Sequence, residues 1–99
     1  MRFKDKTQTE VIRLREAEAD GYKYRYQLIM KKSKRVASYR LPLYSIKVNL
    51  TDPDGIETCA ELSDVFSDIG KAIVFYQSVV DNLVTPIDLP YIFEDQIMV

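Results

Sequence analysis

Three tyrosines at alternate positions are the residues of this chain best placed to bind a ligand. Tyr22, Tyr24 and Tyr26 share one face if the segment is a strand, and Lys23 and Arg25 alternate with them. Aromatic rings on a sheet, flanked by basic side chains, stack unpaired bases in several RNA-binding modules. The alternative is that the rings form core and keep their hydroxyls at its rim, while the charges point away. We favour the core, because this alternation is typical of a half-buried strand.

A basic cluster follows the tyrosines. Every charged residue between positions 22 and 40 is basic, and those from position 31 onwards could contact nucleic acid or another anionic partner: Lys31, Lys32, Lys34, Arg35 and Arg40. The net charge of −1 favours a different interpretation, in which the cluster is a solvated loop or pairs with the acidic C-terminal half.

Composition excludes most catalytic and metal chemistry. With no His and one Cys, the usual ligand sets of zinc, haem and iron–sulfur groups cannot be built within the chain, nor can a His-activated nucleophile. The three Gly stand too far apart for a phosphate loop. Two acidic groups could ligate calcium or magnesium: Asp52, Asp54, Glu57 and Asp88, Glu94, Asp95. Turn chemistry accounts for Asp52 and Asp54, and helix capping accounts for Asp88. We expect no enzyme, no metal and no cofactor.

The end of the chain is more apolar than a short docked helix requires. Its large apolar side chains could form a contact with a partner or a second copy: Tyr91, Ile92, Phe93, Ile97 and Met98. Alternatively, they close the far edge of the chain's own core. The sequence supports both interpretations equally.

The tyrosines belong to a predicted hairpin. Asp20-Gly21 is a favoured two-residue turn, because both positions need a positive φ. Residues 10–19 carry helix formers but no long helical stripe, and we predict a strand. The register then places Arg13 and Arg15 on the tyrosine face, where they fit less well, and forms three opposite-charge pairs on the other face: Glu18 with Lys23, Glu16 with Arg25 and Glu10 with Lys31.

A second predicted hairpin turns at Asp52-Pro53-Asp54-Gly55. Pro suits the second position of a type I turn, and Gly supplies the left-handed residue after it. A three-residue loop with a Gly bulge pairs Leu50 with Thr58, Val48 with Ala60 and Ile46 with Leu62 on one face. On the other face it pairs Lys47 with Glu61 and Asn49 with Cys59. We expect the Cys59 thiol to have no catalytic role.

Two helices follow. Ser67 is a good N-cap for a helix over residues 67–84, with Gly70 packed closely against the sheet. Its core-facing stripe has helical spacing and is widened by Val74 and Phe75: Ile69, Ala72, Ile73, Tyr76, Val79, Val80 and Leu83. Thr85-Pro86 ends this helix, and Asp88 caps a short second helix with Pro90 in its first turn.

These elements predict an α+β fold. A four-stranded antiparallel β-meander has one long helix packed on one face and a short C-terminal helix, in the order β-β-β-β-α-α. The 99 residues form a single domain, with residues 1–8 as a frayed N-terminus. No apolar stretch resembles a signal peptide, and we expect a cytoplasmic protein that crosses no membrane.

The order of elements and the end motif resemble a family of small uncharacterised proteins of clostridia and related Firmicutes. Four segments between residues 9 and 95 carry the resemblance: the Tyr-rich strand 22–30, Tyr44-Ser45-Ile46, Asp64-Val65-Phe66-Ser67 and the ending of residues 86–95. The chain departs from the family pattern at Asp88 and Pro90, where a His and an acidic residue are expected. The resemblance implies no activity.

Two functional hypotheses follow. The first is a small interaction or regulatory domain that acts by protein–protein contact, including contact with a second copy as a homodimer. The alternative is a weak nucleic-acid-binding module that uses the basic segment 31–40.

Overall fold

The computed structural model describes residues 8–32 and 42–97, except the side chains of residues 8, 96 and 97. Four strands form one antiparallel sheet in the order β1-β2-β3-β4, and two helices follow. The elements are β1 (Gln8–Ala19), β2 (Tyr22–Lys32), β3 (Leu43–Thr51), β4 (Glu57–Phe66), α1 (Ile69–Asp81) and α2 (Leu89–Ile97). The predicted α+β class and the order of its elements are confirmed.

The first hairpin follows the predicted register for most of its length. Asp20 and Gly21 have φ values of 54° and 84°, as their turn requires, and residues 10–19 are strand. A bulge between Val11 and Arg13 then shifts the pairing by one residue. Beyond it, Glu10 faces Met30, so the predicted pair of Glu10 with Lys31 is wrong. The extra residue allows Ile12 to pack against the core.

The second hairpin has the predicted Gly-bulged loop, and all five predicted pairs of its strands are present. The Gly55 N–H donates to the Asp52 carbonyl, and Gly55 has a φ of 88°. The Asp52 carboxylate accepts the N–H groups of Asp54 and Ile56 at 2.9 and 2.8 Å. This aspartate therefore serves the turn, as the sequence predicted.

An irregularity in β4 lies opposite Ser45. Ile46 faces Leu62 and Tyr44 faces Phe66, so three residues of β4 span a gap that one residue spans in β3. Ser45 is fully buried, and its Oγ accepts the N–H of Asp64 at 2.8 Å. The φ of Asp64 is 55°. A buried hydroxyl thus satisfies a backbone donor that the bulge removes from the ladder.

The core lies between the sheet and α1. It comprises residues of β2, β3, α1 and the C-terminal segment: Tyr26, Leu28, Tyr44, Ile46, Val48, Ala72, Phe75, Tyr76, Val79, Val84 and Leu89. Two tyrosine hydroxyls are bonded inside it. Tyr26 Oη donates to the Val84 carbonyl at 3.1 Å, and Tyr76 Oη donates to the Tyr26 carbonyl at 3.0 Å.

The start of α1 differs from the prediction. Asp68, not Ser67, caps the helix, and its Oδ1 accepts the N–H of Gly70 at 2.7 Å. Both residue types are good caps, and the chain uses the second. Gly70 is exposed, and the only neighbour that a Cβ there would meet is Asp68 Oδ1 at 3.2 Å. The predicted packing of Gly70 on the sheet is therefore wrong.

The end of α1 also differs. The helix ends at Asp81, because Leu83 adopts a left-handed φ of 48° and its N–H donates to the Val80 carbonyl. The Val84 N–H donates to the Val79 carbonyl, which completes a Schellman motif. The predicted extension to residue 84 is wrong, as is the placement of Ile69 and Leu83 in the core, since these side chains are 44% and 38% exposed.

The connection to α2 forms a turn of its own. The Thr85 hydroxyl donates to the Asp88 carboxylate at 3.1 Å, and the Asp88 N–H lies 3.3 Å from the same hydroxyl oxygen. Asp88 holds the predicted cap position, since its carbonyl accepts the N–H of Ile92, the first such bond of α2. Its carboxylate accepts the Thr85 hydroxyl and no N–H of α2, so the predicted capping of this helix by the Asp88 side chain is wrong.

Candidate functional site

The tyrosine stripe passes from core to surface along β2. Tyr26 is fully buried, Tyr24 is partly buried with its ring stacked on Tyr26 at 6.0 Å between centroids, and Tyr22 is 38% exposed. The alternating cations lie on the opposite face, where Arg25 forms an ion pair with Glu16 at 3.1 Å. The tyrosines and these cations therefore do not form one surface.

The basic cluster is only partly described. Lys31 Nζ lies 3.1 Å from Glu61 Oε2 on β4. Burial alone would raise the pKa of Glu61, but hydrogen bonds from Lys31 and Ser63, with the charges of Lys31 and Lys47, outweigh it and hold that pKa below its usual range. Lys32 is partly buried at the end of β2. Lys34, Arg35 and Arg40 lie outside the described residues, and nucleic-acid binding stays a prediction.

The apolar C-terminal segment divides between core and surface. Leu89 is fully buried, and Ile92 and Phe93 pack against the core. Tyr91 is 65% exposed, and Ile87 just before α2 is 72% exposed. The side chain of residue 97 and all of residue 98 lie outside the described part of the chain. Among the described residues, most of this segment closes the chain's own core.

A groove opens where α1, α2 and the end of β4 meet. Three phenylalanine rings line it. The ring centroids of Phe66 and Phe75 are 5.5 Å apart, and the ring centroid of Phe93 lies 5.7 Å from each of them. The groove has a volume of about 540 Å³, and its other lining residues are Asp68, Gly70, Lys71 and Val74. Val74 is 70% exposed. The groove therefore offers aromatic walls, an exposed aliphatic edge and one charge of each sign.

A second depression, of about 530 Å³, lies on the charged face of the sheet. Several of its polar groups are already paired. Arg25 binds Glu16, and Asn49 Nδ2 donates to Glu57 Oε2 at 3.0 Å. A carboxylate that already has a hydrogen-bonded partner, as Glu16 and Glu57 do, is a poor candidate for acid–base work.

The acidic groups and the thiol carry no assembled site in the part of the chain that the structure describes. No three His, Cys, Asp or Glu side chains are grouped there to hold a metal ion. Asp52 and Asp88 have the turn contacts given above, and Cys59 is an exposed free thiol on β4. Among the described helices, none is long and apolar enough to span a membrane.

Sequence reasoning did not identify the groove. Phe66, Phe75 and Phe93 lie on three different elements, so no periodicity connects them. Only Phe93 was a candidate contact residue, because it stands in an apolar run. Val74 was predicted to widen the core-facing stripe of α1, and this prediction is wrong, because Val74 is 70% exposed and lines the groove.

One family model matches the chain. It is that of a family of unknown function (DUF6514), and the match covers residues 5–99. No curated protein and no solved structure matches the chain. The expected restriction to clostridia and related Firmicutes stays a prediction.

Proposed function

The chain belongs to the DUF6514 family of unknown function, and we propose that it acts as a small, non-catalytic interaction domain of the cytoplasm. Its contact surface is the groove between α1 and α2, and the occupant is a large apolar side chain of a partner protein. The observation that carries this proposal is the exposed Val74 beside the three phenylalanine rings.

The chemistry of the groove favours a protein over a small polar ligand. Ligand sites for small molecules combine apolar walls with several converging polar groups. Here the charged lining residues are Asp68 and Lys71, and Asp68 already caps α1. An aromatic or aliphatic anchor that fills such a groove is typical of protein interfaces. Covering Val74 and the ring edges would add about 25 cal/mol for each Å² of apolar surface removed from water.

The first test asks whether the groove accepts an aromatic group. Indole, titrated to millimolar concentration, should shift the NMR signals of Phe66, Val74 and Phe93. Val74→Asp should abolish the shifts of Phe66 and Phe93, because a carboxylate at the groove edge disfavours apolar contact. Ile87→Asp is the matched control, since Ile87 is an apolar residue that is 72% exposed, close to the 70% of Val74, and does not line the groove.

The second test uses the native cell. A partner recovered with the wild-type chain and with Ile87→Asp, but lost with Val74→Asp, would support the proposal. The proposal is wrong if indole shifts no groove signal and Val74→Asp retains every partner of the wild type. Deleting residues 86–99 is a poor test, because it removes the fully buried Leu89 and unfolds the core.

The cytoplasmic location in this proposal is supported by Cys59. Exposed free thiols persist in reducing compartments and are oxidised elsewhere.

A further inference from the structure

The two outer strands of the sheet expose backbone hydrogen-bonding groups, but they differ in what they can pair with. Within the described residues, β1 and β4 each have one neighbouring strand. An open edge is a template for another strand unless charges or bulges protect it. The question is therefore which edge accepts a further strand, and from which chain.

The side chains of β1 oppose pairing with a second β1. In any antiparallel pairing of a strand with its own copy, side chains of one face meet side chains of the same face. Glu16 and Glu18 share the charged face, and Arg13 and Arg15 share the tyrosine face. Registers centred on this part of β1 set Glu against Glu or Arg against Arg. The bulge between Val11 and Arg13 adds to this protection.

β4 behaves differently. On its helix-facing side it carries Thr58, Ala60 and Leu62, none of them charged. The Asp52 N–H donates to the Ile56 carbonyl, so these two residues form a hydrogen-bonded pair. Hydrogen-bonded and non-hydrogen-bonded pairs alternate from there along β3 and β4, and Thr58, Ala60 and Leu62 stand at the hydrogen-bonded positions. These three residues therefore bond to β3.

The other residues of β4 direct their backbone groups to the open edge. These are Glu57, Cys59 and Glu61, and the negative charge of Glu61 is balanced by Lys31 at 3.1 Å. We propose that β4 pairs with β4 of a second copy of this chain, antiparallel about Ala60, and so extends the sheet across a homodimer.

This register avoids like-charge pairs directly across the interface. Ala60 meets its own copy, Thr58 meets Leu62 of the second copy, and Cys59 meets Glu61. Residues 59 and 61 exchange backbone hydrogen bonds between the copies. The paired segment is short, so it buries less area than a stable obligate interface and the dimer is weak. This surface is separate from the groove, and the proposal does not depend on the proposed function.

Two variants that introduce opposite charges at Cys59 test the register. Cys59→Lys places Lys opposite Glu61 at two symmetric positions, and Cys59→Glu places Glu there. We expect the dissociation constant from sedimentation equilibrium, under reducing conditions, to fall for the Lys variant and rise for the Glu variant. Each change should lie between about twofold and thirtyfold, as two cross-strand pairs predict. Cys59 is exposed, so neither change removes core packing.

A proline swap tests the edge. Cys59→Pro removes an outward-facing N–H from β4 without removing a bond to β3, and Glu18→Pro does the same on β1, as a matched control. We expect only Cys59→Pro to abolish the dimer. Circular dichroism confirms that each variant is folded before its dimerisation is measured by sedimentation equilibrium.

Hydrogen exchange of the wild-type chain gives a test that needs no substitution. The amides of Cys59 and Glu61 should gain protection as protein concentration rises, while those of Glu16 and Glu18 should not. A chain that stays monomeric at millimolar concentration would overturn the proposal. So would a dimer whose protection appears at β1 or at the groove, or Lys and Glu variants at position 59 that shift the dissociation constant in the same direction.

Discussion

Replacing Tyr26 by Phe removes one hydroxyl from the centre of the core and leaves the ring in place. That hydroxyl donates to the Val84 carbonyl at 3.1 Å across a sequence separation of 58 residues. Tyr26 is fully buried and Val84 is 7% exposed, so water cannot replace the lost donor. The substitution therefore leaves a buried carbonyl without its side-chain partner.

The magnitude follows from that unsatisfied carbonyl. A buried acceptor left without a partner costs about 1–3 kcal/mol, and we expect about 1.5 kcal/mol for Tyr26→Phe. For a domain of this length, that lowers the midpoint of thermal unfolding by about 6–12 °C. Tyr76→Phe should lower the free energy of unfolding less. The Tyr26 carbonyl loses the Tyr76 hydroxyl as a donor, but it also accepts a backbone hydrogen bond from β1.

Urea unfolding of three variants measures this order. Tyr24→Phe is the control, because the Tyr24 hydroxyl makes no hydrogen bond to any described residue, and its stability should match the wild type within about 0.5 kcal/mol. We expect Tyr26→Phe to lose most, Tyr76→Phe less and Tyr24→Phe least, with an unchanged m-value. Equal stability of the Tyr26 and Tyr24 variants would refute the assignment of the Val84 bond as a stabilising one.

Three further predictions concern pH, turns and the surface ion pair. Burial raises the pKa of Tyr26 and Tyr76 above the ordinary 10.0 of tyrosine. Their contribution to the free energy of unfolding is therefore complete below about pH 10 and is lost as the pH rises further. Urea unfolding from pH 8 to 11 should show this decline in stability, and the decline should be less steep in Tyr26→Phe. Gly21→Ala should lower the free energy of unfolding more than Gly55→Ala does in the same assay. Both residues have positive φ, but only a Cβ at position 21 meets another atom, Pro53 Cγ at 3.2 Å. Equal losses of stability would contradict this prediction. Glu61→Gln should cost about 0.5 kcal/mol at pH 7, since the side chains of the ion pair with Lys31 are 30% exposed. The loss should be smaller at pH 3, because the pKa of Glu61 is lowered and its contribution declines as the pH falls below 4.5. An equal loss at both pH values would show that the charge is not involved.

The turns are where the sequence predicted most. Asp20-Gly21 and the loop that ends at Gly55 each require left-handed residues at fixed positions, and they set the register of both hairpins. The bulge near Val11 was not predictable, because it arises from the packing of Ile12 on the core and not from any local residue preference. Leu83 shows the same effect, since a leucine with positive φ contradicts its local preference and is held by the surrounding fold.

The candidate site was harder to predict than the fold. The even choice between core and partner for the C-terminal segment depended on which side of α2 faces the sheet, and only tertiary packing sets that side. Ile92 and Phe93 pack inward, while Tyr91 between Pro90 and Ile92 is exposed. The groove also needs Phe66 from the end of β4, which the sequence gives no reason to place beside the other rings.

The bond between Tyr26 and Val84 bears on how the chain folds during synthesis. The sheet can form once β4 has been made, but Val84 and Leu89, which complete the core on its apolar face, follow α1 in the chain. A nascent chain that stops before residue 84 therefore lacks the carbonyl to which Tyr26 donates and the fully buried side chain of Leu89, so its core is incomplete. We expect ribosome-bound chains to acquire protease resistance only after α2 has emerged, and to need a chaperone or rapid elongation until then.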